Sequence, residues 1–560
     1  MNHPRWQLSP TPLPEALAAL GPMPRLAAIL LARRGITARS QVRPYLEGSS
    51  AFACDPFALP DMGVAVPRLQ EALLRSELIA VYGDFDADGV TATAVLMEGL
   101  GALGGRATAY IPHRLREGHG LRSEAIQELA RQGASVLIAA DCGTTSLEEI
   151  ALARGLGLDV IVADHHVPPP QPSPALALVN PHRPDSRYPS PELASVGIAV
   201  KLIEALYSAQ GRSGGPPESL YELVALGTVG DVAPLIGENR YLVKRGLAEL
   251  NRTARPGLRA LLALAGPGRV DEESIGFALA PRINAAGRLD HARVAYDLLL
   301  APSAAAAEPL ARRLDDLNRQ RQEQTAQILQ EAEAQWAGQA QEAIIIVGSP
   351  RFPAGLVGLA AGRLTEAYHR PAIVMELGAT EVRGSGRSID EFNLVQSLHL
   401  RPELFLRYGG HAKAAGFTTT PDQVPALTAH LHRRAQEELA GVELRAVLQI
   451  EAEAELGELT PRIIALLHYL APFGEGNRPP TFLTRGVEIA QARPLGAGGR
   501  HLGLKVREGG VVWDAIGFGL GAVPLAAGQR ADLVYTLGSD NRNGEPRLRL
   551  NLLDVRPQTA

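Results

Sequence analysis

Continuous apolar runs punctuate the first half of the chain. Leu78-Ile79-Ala80-Val81, residues 107–111, Val136-Leu137-Ile138-Ala139-Ala140 and Val160-Ile161-Val162-Ala163 have the character of strands covered on both faces of a parallel sheet. Helical patterns at 61–74, 90–103 and 123–132 separate them, which makes successive βα units. A helix at 198–207 follows, whereas 223–232 is apolar enough for strand or helix. From 304 to 337, Leu310, Leu314, Leu317, Arg321, Thr325 and Ile328 recur at three- and four-residue steps, predicting a long connector helix. A second α/β unit opens with a strand at 343–348, a helix near 356–368 and a strand at 371–375. After about Val442 the pattern shortens and alternates, at 447–455, 481–492, 501–507, 511–518, 531–537 and 548–555, with hairpin signals at Glu508-Gly509-Gly510 and Asn543-Gly544. With the apolar helix 463–470 inserted, this predicts a five-stranded OB-type β-barrel, whose usual ligands are oligonucleotides and oligosaccharides. Trp513 and Phe518 are candidates for base stacking, though core is the commoner place for each ring taken singly.

The polar residues that end the apolar runs carry the chemistry. The first run leads into Asp84-Phe85-Asp86-Ala87-Asp88-Gly89, the next buried run ends at Asp141, and the next at Asp164-His165-His166; Asp231 ends the ambiguous segment. Alone, Asp-Xaa-Asp-Gly is a turn or a helix N-cap. In an extended segment, however, Asp84, Asp86 and Asp88 would share one face, where a divalent cation offsets their repulsion. In an open α/β sheet ligands gather at the carboxyl edge of the strands, so acids at three successive strand ends predict one shared site. Carboxylates with histidines and no thiolates suit a pair of hard or borderline ions, Mn2+ or Mg2+. Two such ions activate water and clamp a phosphoryl group, so the expected reaction is phosphoester hydrolysis. No serine or cysteine nucleophile with its base is evident, and no Gly-Lys-Ser/Thr Walker loop.

Other polar stretches read as loops. Residues 112–120 form a glycine-containing loop placed to lie over the site. Residues 283–291 read as a short-turned segment bringing Arg288 against an anion, and Val382 to Ser388 and Tyr408 to Phe417 as polar turns able to bind phosphate.

Composition narrows this little. At 560 residues two to four domains are expected, and 46% hydrophobic residues suffice for packed cores. A net charge of −5 argues against indiscriminate polyanion coating but leaves room for a local basic groove. Of 55 basic residues only Lys201, Lys244, Lys413 and Lys505 are lysine, and arginine is the better bidentate phosphate ligand, although a biased genome is the plainer explanation. Cys54 and Cys142 make neither a disulfide framework nor a thiolate metal site. No signal pattern and no bilayer-length apolar run is evident, so a cytoplasmic protein is expected.

Taken together, Asp84-Phe85-Asp86-Ala87-Asp88-Gly89, Asp141-Cys142-Gly143, Asp164-His165-His166, Gly230-Asp231-Val232, Asn284-Ala285-Ala286-Gly287-Arg288 and Gly409-Gly410-His411 resemble the motifs of the DHH phosphoesterase superfamily. Within it the chain resembles the RecJ family of single-strand-specific exonucleases, over roughly residues 50–555. The resemblance implies an N-terminal arm (1–50), a parallel-sheet DHH catalytic domain (51–302), a connector helix (303–340), a smaller α/β DHH-associated substrate domain (341–440) and an OB-fold nucleic-acid-binding domain (441–560). It implies a 5′→3′ exonuclease of DNA repair and recombination, releasing mononucleotides from single-stranded DNA. Asp84, Asp86 and Asp141 would hold one metal, and Asp88, Asp141, His165 and Asp231 the other. Asp164 would fix a histidine, and His166 and Arg288 would contact the scissile phosphate. Ser385 and Arg387 would form the 5′-phosphate pocket, His411 would face the cleft, and Arg114 is a further substrate contact. The implied partners are single-stranded DNA, a single-strand-binding protein and a helicase, with no membrane and a monomeric state. The extra C-terminal domain of some longer relatives is not expected here. The alternatives are a relative acting on short oligoribonucleotides or cyclic dinucleotides, and an inert DNA-binding scaffold; the barrel argues against the first and the full acid set against the second.

Overall fold

The computed structural model describes residues 4–558 except 213, 267, 340, 341 and 541–546, so the hairpin signal at Asn543-Gly544 lies outside the described residues. The backbone divides into two compact units, 53–444 and a second built from both chain ends, 1–52 with 445–560.

The larger unit opens with a five-stranded sheet in the order Arg106–Tyr110, Leu78–Tyr82, Ala134–Ala140, Asp159–Ala163, Ala177–Val179, every pair parallel. The unbroken apolar runs follow from burial on both faces. Ile79, Val81, Val136, Ile138 and Ile161 pack with Val90, Leu96 and Ile198, while Ala80, Tyr82, Leu137, Val160 and Val162 pack with Ile126, Leu129 and Ile150. Each fully buried valine, leucine or isoleucine contributes roughly 1.5–3 kcal/mol relative to exposure, so a charge at Val81, fully buried on an inner strand, would disrupt the sheet.

Three expectations change. Asp84 to Asp88 is not an extended segment, because Asp86 caps a helix that already begins at Ala87 (Ala87–Ala102). Residues 223–232 resolve as the helix Leu220–Gly230, and Asn284 to Arg288 lie within the helix Ala280–Leu289 rather than in a turn. That helix continues directly from a π-helical turn, Ile275–Leu279.

The predicted connector is the 33-residue helix Ala304–Trp336. Its early residues Leu314 and Leu317 join the parallel-sheet core, and Ile328, Ala332 and Trp336 join the next one. There a second sheet runs Arg407–His411, Ala414–Thr419, Val382–Arg387, Ala372–Leu377, Ile345–Ser349, with only the last two strands parallel. The stretches expected as polar turns are therefore strands, one face of which is polar and glycine-rich.

In the smaller unit, Phe482–Leu495, His501–Glu508, Val511–Gly517, Arg547–Pro557 and Arg530–Asp540 form a sheet that closes when the first pairs with the last. Chain ends meet here: Arg5–Leu8 pairs parallel with Val447–Ile450, and the Trp6 indole donates to Asp554 Oδ2 at 2.8 Å. The helix Arg25–Arg33 buries Leu26 to Leu31 in the same core as Phe482, Val506 and Leu550. Trp513 is half-buried, whereas Phe518, for which a core position was the commoner expectation, is 55% exposed. Among the described residues no helix is long and apolar enough to cross a membrane.

Candidate functional site

The acids meet at the carboxyl edge of the parallel sheet, each held by a local device. Asp86 Oδ1 accepts from Asp88 N (3.0 Å) and Gly89 N (3.1 Å), the usual N-cap satisfaction of free helix donors. Gly89 is required: an added Cβ would stand 2.6 Å from Asp84 Cβ. Asp88 accepts from Ser195 N (2.7 Å) and Val196 N (2.9 Å) at the start of the helix Ser195–Ala209, where backbone donors and dipole favour negative charge. Asp141 sits at φ 62°, a strained setting for a non-glycine residue of the kind found at functional sites, and accepts from Ser195 Oγ at 2.9 Å. Asp231 terminates the helix Leu220–Gly230, and Val232 after it has φ 61°.

Asp164 is occupied differently. It accepts from Thr144 N (3.1 Å), His165 N (2.8 Å), His166 N (3.2 Å) and His166 Nδ1 (2.7 Å), so it orients the His166 ring directly and holds only the backbone of His165.

One ligating atom each from Asp84, Asp86 and Asp141 lies within 4.8 Å of the others, and the same holds for Asp88, His165 and Asp231. A third grouping is Asp141, Asp164, His165 and His166. His165 joins the first two sets, with Nε2 3.6 Å from Asp141 Oδ1 and Nδ1 3.9 Å from Asp231 Oδ2.

The acids are crowded and buried, and their proton affinities show it. Burial, reinforced by neighbouring carboxylates, pushes Asp88 up to about 7, Asp231 up to about 9 and Asp141 well above the carboxylate range. Burial also raises Asp84, against the pull of His119, and Asp84 Oδ1 is buried with no hydrogen-bond partner. Burial holds His165 down at about 4, which leaves the neutral imidazole that ligates metals. For His166 burial works in the same direction, but the hydrogen bond and charge of Asp164 outweigh it and place the group at about 9. Asp164 itself is held below the usual range, its burial outweighed by His166. An orphaned oxygen, crowded carboxylates and a neutral histidine fit divalent cations.

In the same unit a cleft of about 710 Å³ separates the loop after Arg106–Tyr110 from the second sheet. Its lining includes seven arginines against one acid, Glu117, and that acid is already engaged by Tyr110 OH and His113 N, each at 2.6 Å. Arg114, Arg288, Ser385 and Arg387 all line it. Arg114 also lies over the Phe85 ring at 4.8 Å. Burial and then the Arg114 charge push Arg288 down to about 9, and the same two causes lower Arg387. Among the described residues none of these three arginines makes an ion pair, so their donors are free to meet an anion. His411 is exposed at the end of its strand and is not among the lining residues.

Pattern reasoning passed over several neighbours. His119 Nδ1 lies 3.1 Å from Asp84 Oδ2; Asn284 Oδ1 accepts from Ala87 N at 2.8 Å; Asn180 donates to Thr144 Oγ1 (3.1 Å) and His166 O (2.8 Å). Ser195 and the cleft residues Arg116, Arg122, Arg383 and Arg407 complete the set. Most are single polar residues without a spacing pattern; His119, between Gly118 and Gly120, and Asn284, in the motif that ends at Arg288, carried a local hint.

Three family models match in succession: the DHH family, N-terminal domain over residues 78–228, the DHHA1 domain over 341–437 and the RecJ OB domain over 450–554. The fold is thus that of the DHH class. The single-stranded-DNA-specific exonuclease RecJ of Bacillus subtilis is 35% identical over 538 residues, 95% of this chain and 68% of its own length. That of Thermus thermophilus is 37% identical over 510 residues, covering 90% and 72%, and that of Escherichia coli 32% over 562, covering 96% of each. The crystal structure of RecJ from Thermus thermophilus in complex with Mn2+ matches with TM-score 0.86 and 32% identity, over 99% of this chain and 80% of that one. This chain belongs to the RecJ family.

Proposed function

We propose that the chain is a 5′→3′ exonuclease that hydrolyses single-stranded DNA and releases 5′-mononucleotides, using two divalent ions, Mn2+ or Mg2+. The observation that carries this reading is the pair of acid sets around Asp141 and His165 in one compact unit with an arginine-lined cleft. Asp84, Asp86 and Asp141 would hold one ion, and Asp88, Asp141, His165 and Asp231 the other, with Asp141 shared. When bound, the ions supply an activated water and neutralise charge on the phosphoryl oxygens.

The chain's own residues do the rest. Asp164 holds the His166 ring through Nδ1 and keeps it cationic, so that with Arg288 it binds non-bridging oxygens of the scissile phosphate. Arg114 adds charge at the cleft wall, and Ser385 with Arg387 takes the 5′-phosphate through hydroxyl and planar guanidinium donors. His411, exposed at its strand end, meets the strand from the second sheet. The barrel belongs to a fold that binds oligonucleotides, and exposed Phe518 offers a face for base stacking.

The domain limits 1–50, 51–302, 303–340, 341–440 and 441–560 are part of this proposal. So are a cytoplasmic monomer, a role in DNA repair and recombination, and a single-strand-binding protein and a helicase as partners; family membership supports these.

With Mn2+, purified protein is expected to shorten single-stranded DNA from its 5′ end and leave blunt duplex largely intact. Asp141→Ala should lose activity by about 10³-fold or more, as when groups that stabilise transition-state charge are removed. Equal activity of variant and wild type would overturn the assignment. Faster cleavage of a dinucleotide than of the DNA strand would favour the small-substrate alternative.

A further inference from the structure

The cleft does not end at Ser385 and Arg387. Val382–Arg387, Ala414–Thr419 and Arg407–His411 pair antiparallel, and directly opposed residues share a face. Arg387, Ala414 and His411 therefore form one row across the sheet, Ser385, Gly416 and Gly409 the next, and Arg383, Thr418 and Arg407 the outermost. Rows on one face recur every second residue, roughly 6.6 Å apart at ~3.3 Å rise.

The middle row is open although the fold does not require it to be. A Cβ added at Gly409 would meet nothing within 4 Å, and one at Gly416 only Gly384 O at an ordinary 3.8 Å; neither residue has a positive φ. Neighbouring glycines differ. Gly410 has φ 141°, with Ala414 O 2.3 Å from an added Cβ, and a Cβ at Gly384 would stand 2.1 Å from the Phe417 ring. Those two are dictated by backbone and packing, whereas Gly409 and Gly416 leave a clear floor between two charged rows, and both line the cleft.

The rows are also ordered with respect to the acids. Arg114 lies within the field of Asp86 and Asp84, and Arg288 within that of Arg114, Asp86 and Arg387. Arg383 and Arg407, four positions or two strands further out, are exposed. Arg383 meets Glu381 at 3.6 Å with both side chains about half-exposed, and Arg407 makes no ion pair among the described residues. Outward from the acids the cleft offers Arg114 and Arg288, then Arg387, then Ser385 beside a glycine floor, then two more guanidinium groups. Tyr408 and Phe417 also line the cleft but belong to the alternate register and pack at a tilt against Phe405, while the outer row itself presents charge.

We propose that Arg383 and Arg407 hold the outer phosphates of a 5′-polyphosphorylated strand end. The enzyme then accepts a strand that begins with a 5′-triphosphate as well as one that begins with a monophosphate. This rests on the exonuclease reading above, with the α-phosphate at Ser385 and Arg387. A water oxygen bonds to the scissile phosphorus and the P–O3′ bond breaks. The departing O3′ takes up a proton, and the shortened strand keeps a 5′-phosphate. The triphosphate anhydride bonds stay intact, so the product is a nucleoside 5′-triphosphate.

The test compares single-stranded oligonucleotides with 5′-monophosphate or 5′-triphosphate ends, with Mn2+, for wild type and the Arg383→Ala/Arg407→Ala double variant, identifying products by mass. Wild type is expected to release nucleoside triphosphate at a kcat/KM no less than one tenth of that on the monophosphate end. In the double variant the triphosphate-to-monophosphate ratio should fall at least fivefold. A lower wild-type ratio, an unchanged ratio in the variant, or release of a 5′-phosphorylated dinucleotide from the monophosphate strand would overturn the proposal. A binding readout separates it from catalysis: in EDTA, wild type should bind deoxyadenosine triphosphate more tightly than the monophosphate, and the double variant should lose that preference. No such preference in wild type also overturns it. Inactivity on both strands with the binding preference intact would instead count against the exonuclease reading alone and keep the outer row as a polyphosphate site.

Discussion

At the scale of single residues, the acids are arranged at the expense of the metal-free state. Asp88 and Asp231 have their proton affinities raised in the folded chain, to about 7 and about 9 against an ordinary 3.8. A carboxyl group raised on folding contributes stability that is fully present below about pH 3.8 and is lost as pH rises through the folded value. In EDTA the melting temperature should therefore fall from about pH 4 to about pH 9, most steeply below about pH 7 where both groups contribute, while Mn2+-loaded protein holds nearly level, because the cation replaces the protons. A difference between the two forms that does not grow with pH across this window would contradict the arrangement. The acids themselves were legible in the sequence, since each ends an apolar run. The contacts of His119, Ser195 and Asn284 were not, because a hydrogen bond across 35, 54 or 197 positions leaves no periodic trace, although Asn284 itself stands in a motif.

At the scale of elements, what the sequence conceals is the end of a helix or the face of a strand. A fully buried helix such as Leu220–Gly230 shows no polar stripe, so its pattern matches that of a buried strand. The strands Val382–Arg387 and Ala414–Thr419 pass for turns because glycines occupy both faces: Gly384 and Gly386 make room for Phe417 and Leu394, and Gly416 faces open space. The helix Ala280–Leu289 is linked to the acid-bearing helix by the acceptor of Asn284 on Ala87 N. Asn284→Ala leaves that donor unmatched, and should cost about 1–3 kcal/mol. It should also weaken Mn2+ binding by roughly 10- to 100-fold, as loss of outer-shell partners does. Calorimetric titration of Mn2+ reads this directly; an unchanged isotherm would mean the two helices hold their geometry without the contact.

At the scale of the whole molecule, the alternation into two α/β layers and a barrel was readable from periodicity, but the destination of the first fifty residues was not. Nothing local to Leu26 to Leu31 says that the facing side chains come from Phe482, Val506 and Leu550. Leu30 is fully buried there, and Leu30→Ala should cost about 2–5 kcal/mol. Single-tryptophan variants allow a check by denaturant unfolding: the transition reported by Trp513 should move to lower denaturant, while that of Trp336, in the other unit, stays in place. Joint movement would show that the units unfold as one.

That two-ended construction also sets a timetable. The ribosome makes the helix Arg25–Arg33 early and its barrel partners last, with the whole of 53–444 in between. At ~5–20 residues per second that interval is roughly 20–80 s. Throughout it an apolar helix has emerged without its covering surface, open to chaperones and proteases. A chain that stalls before the barrel strands are made keeps that sticky end exposed, so incomplete products carry their own mark for removal.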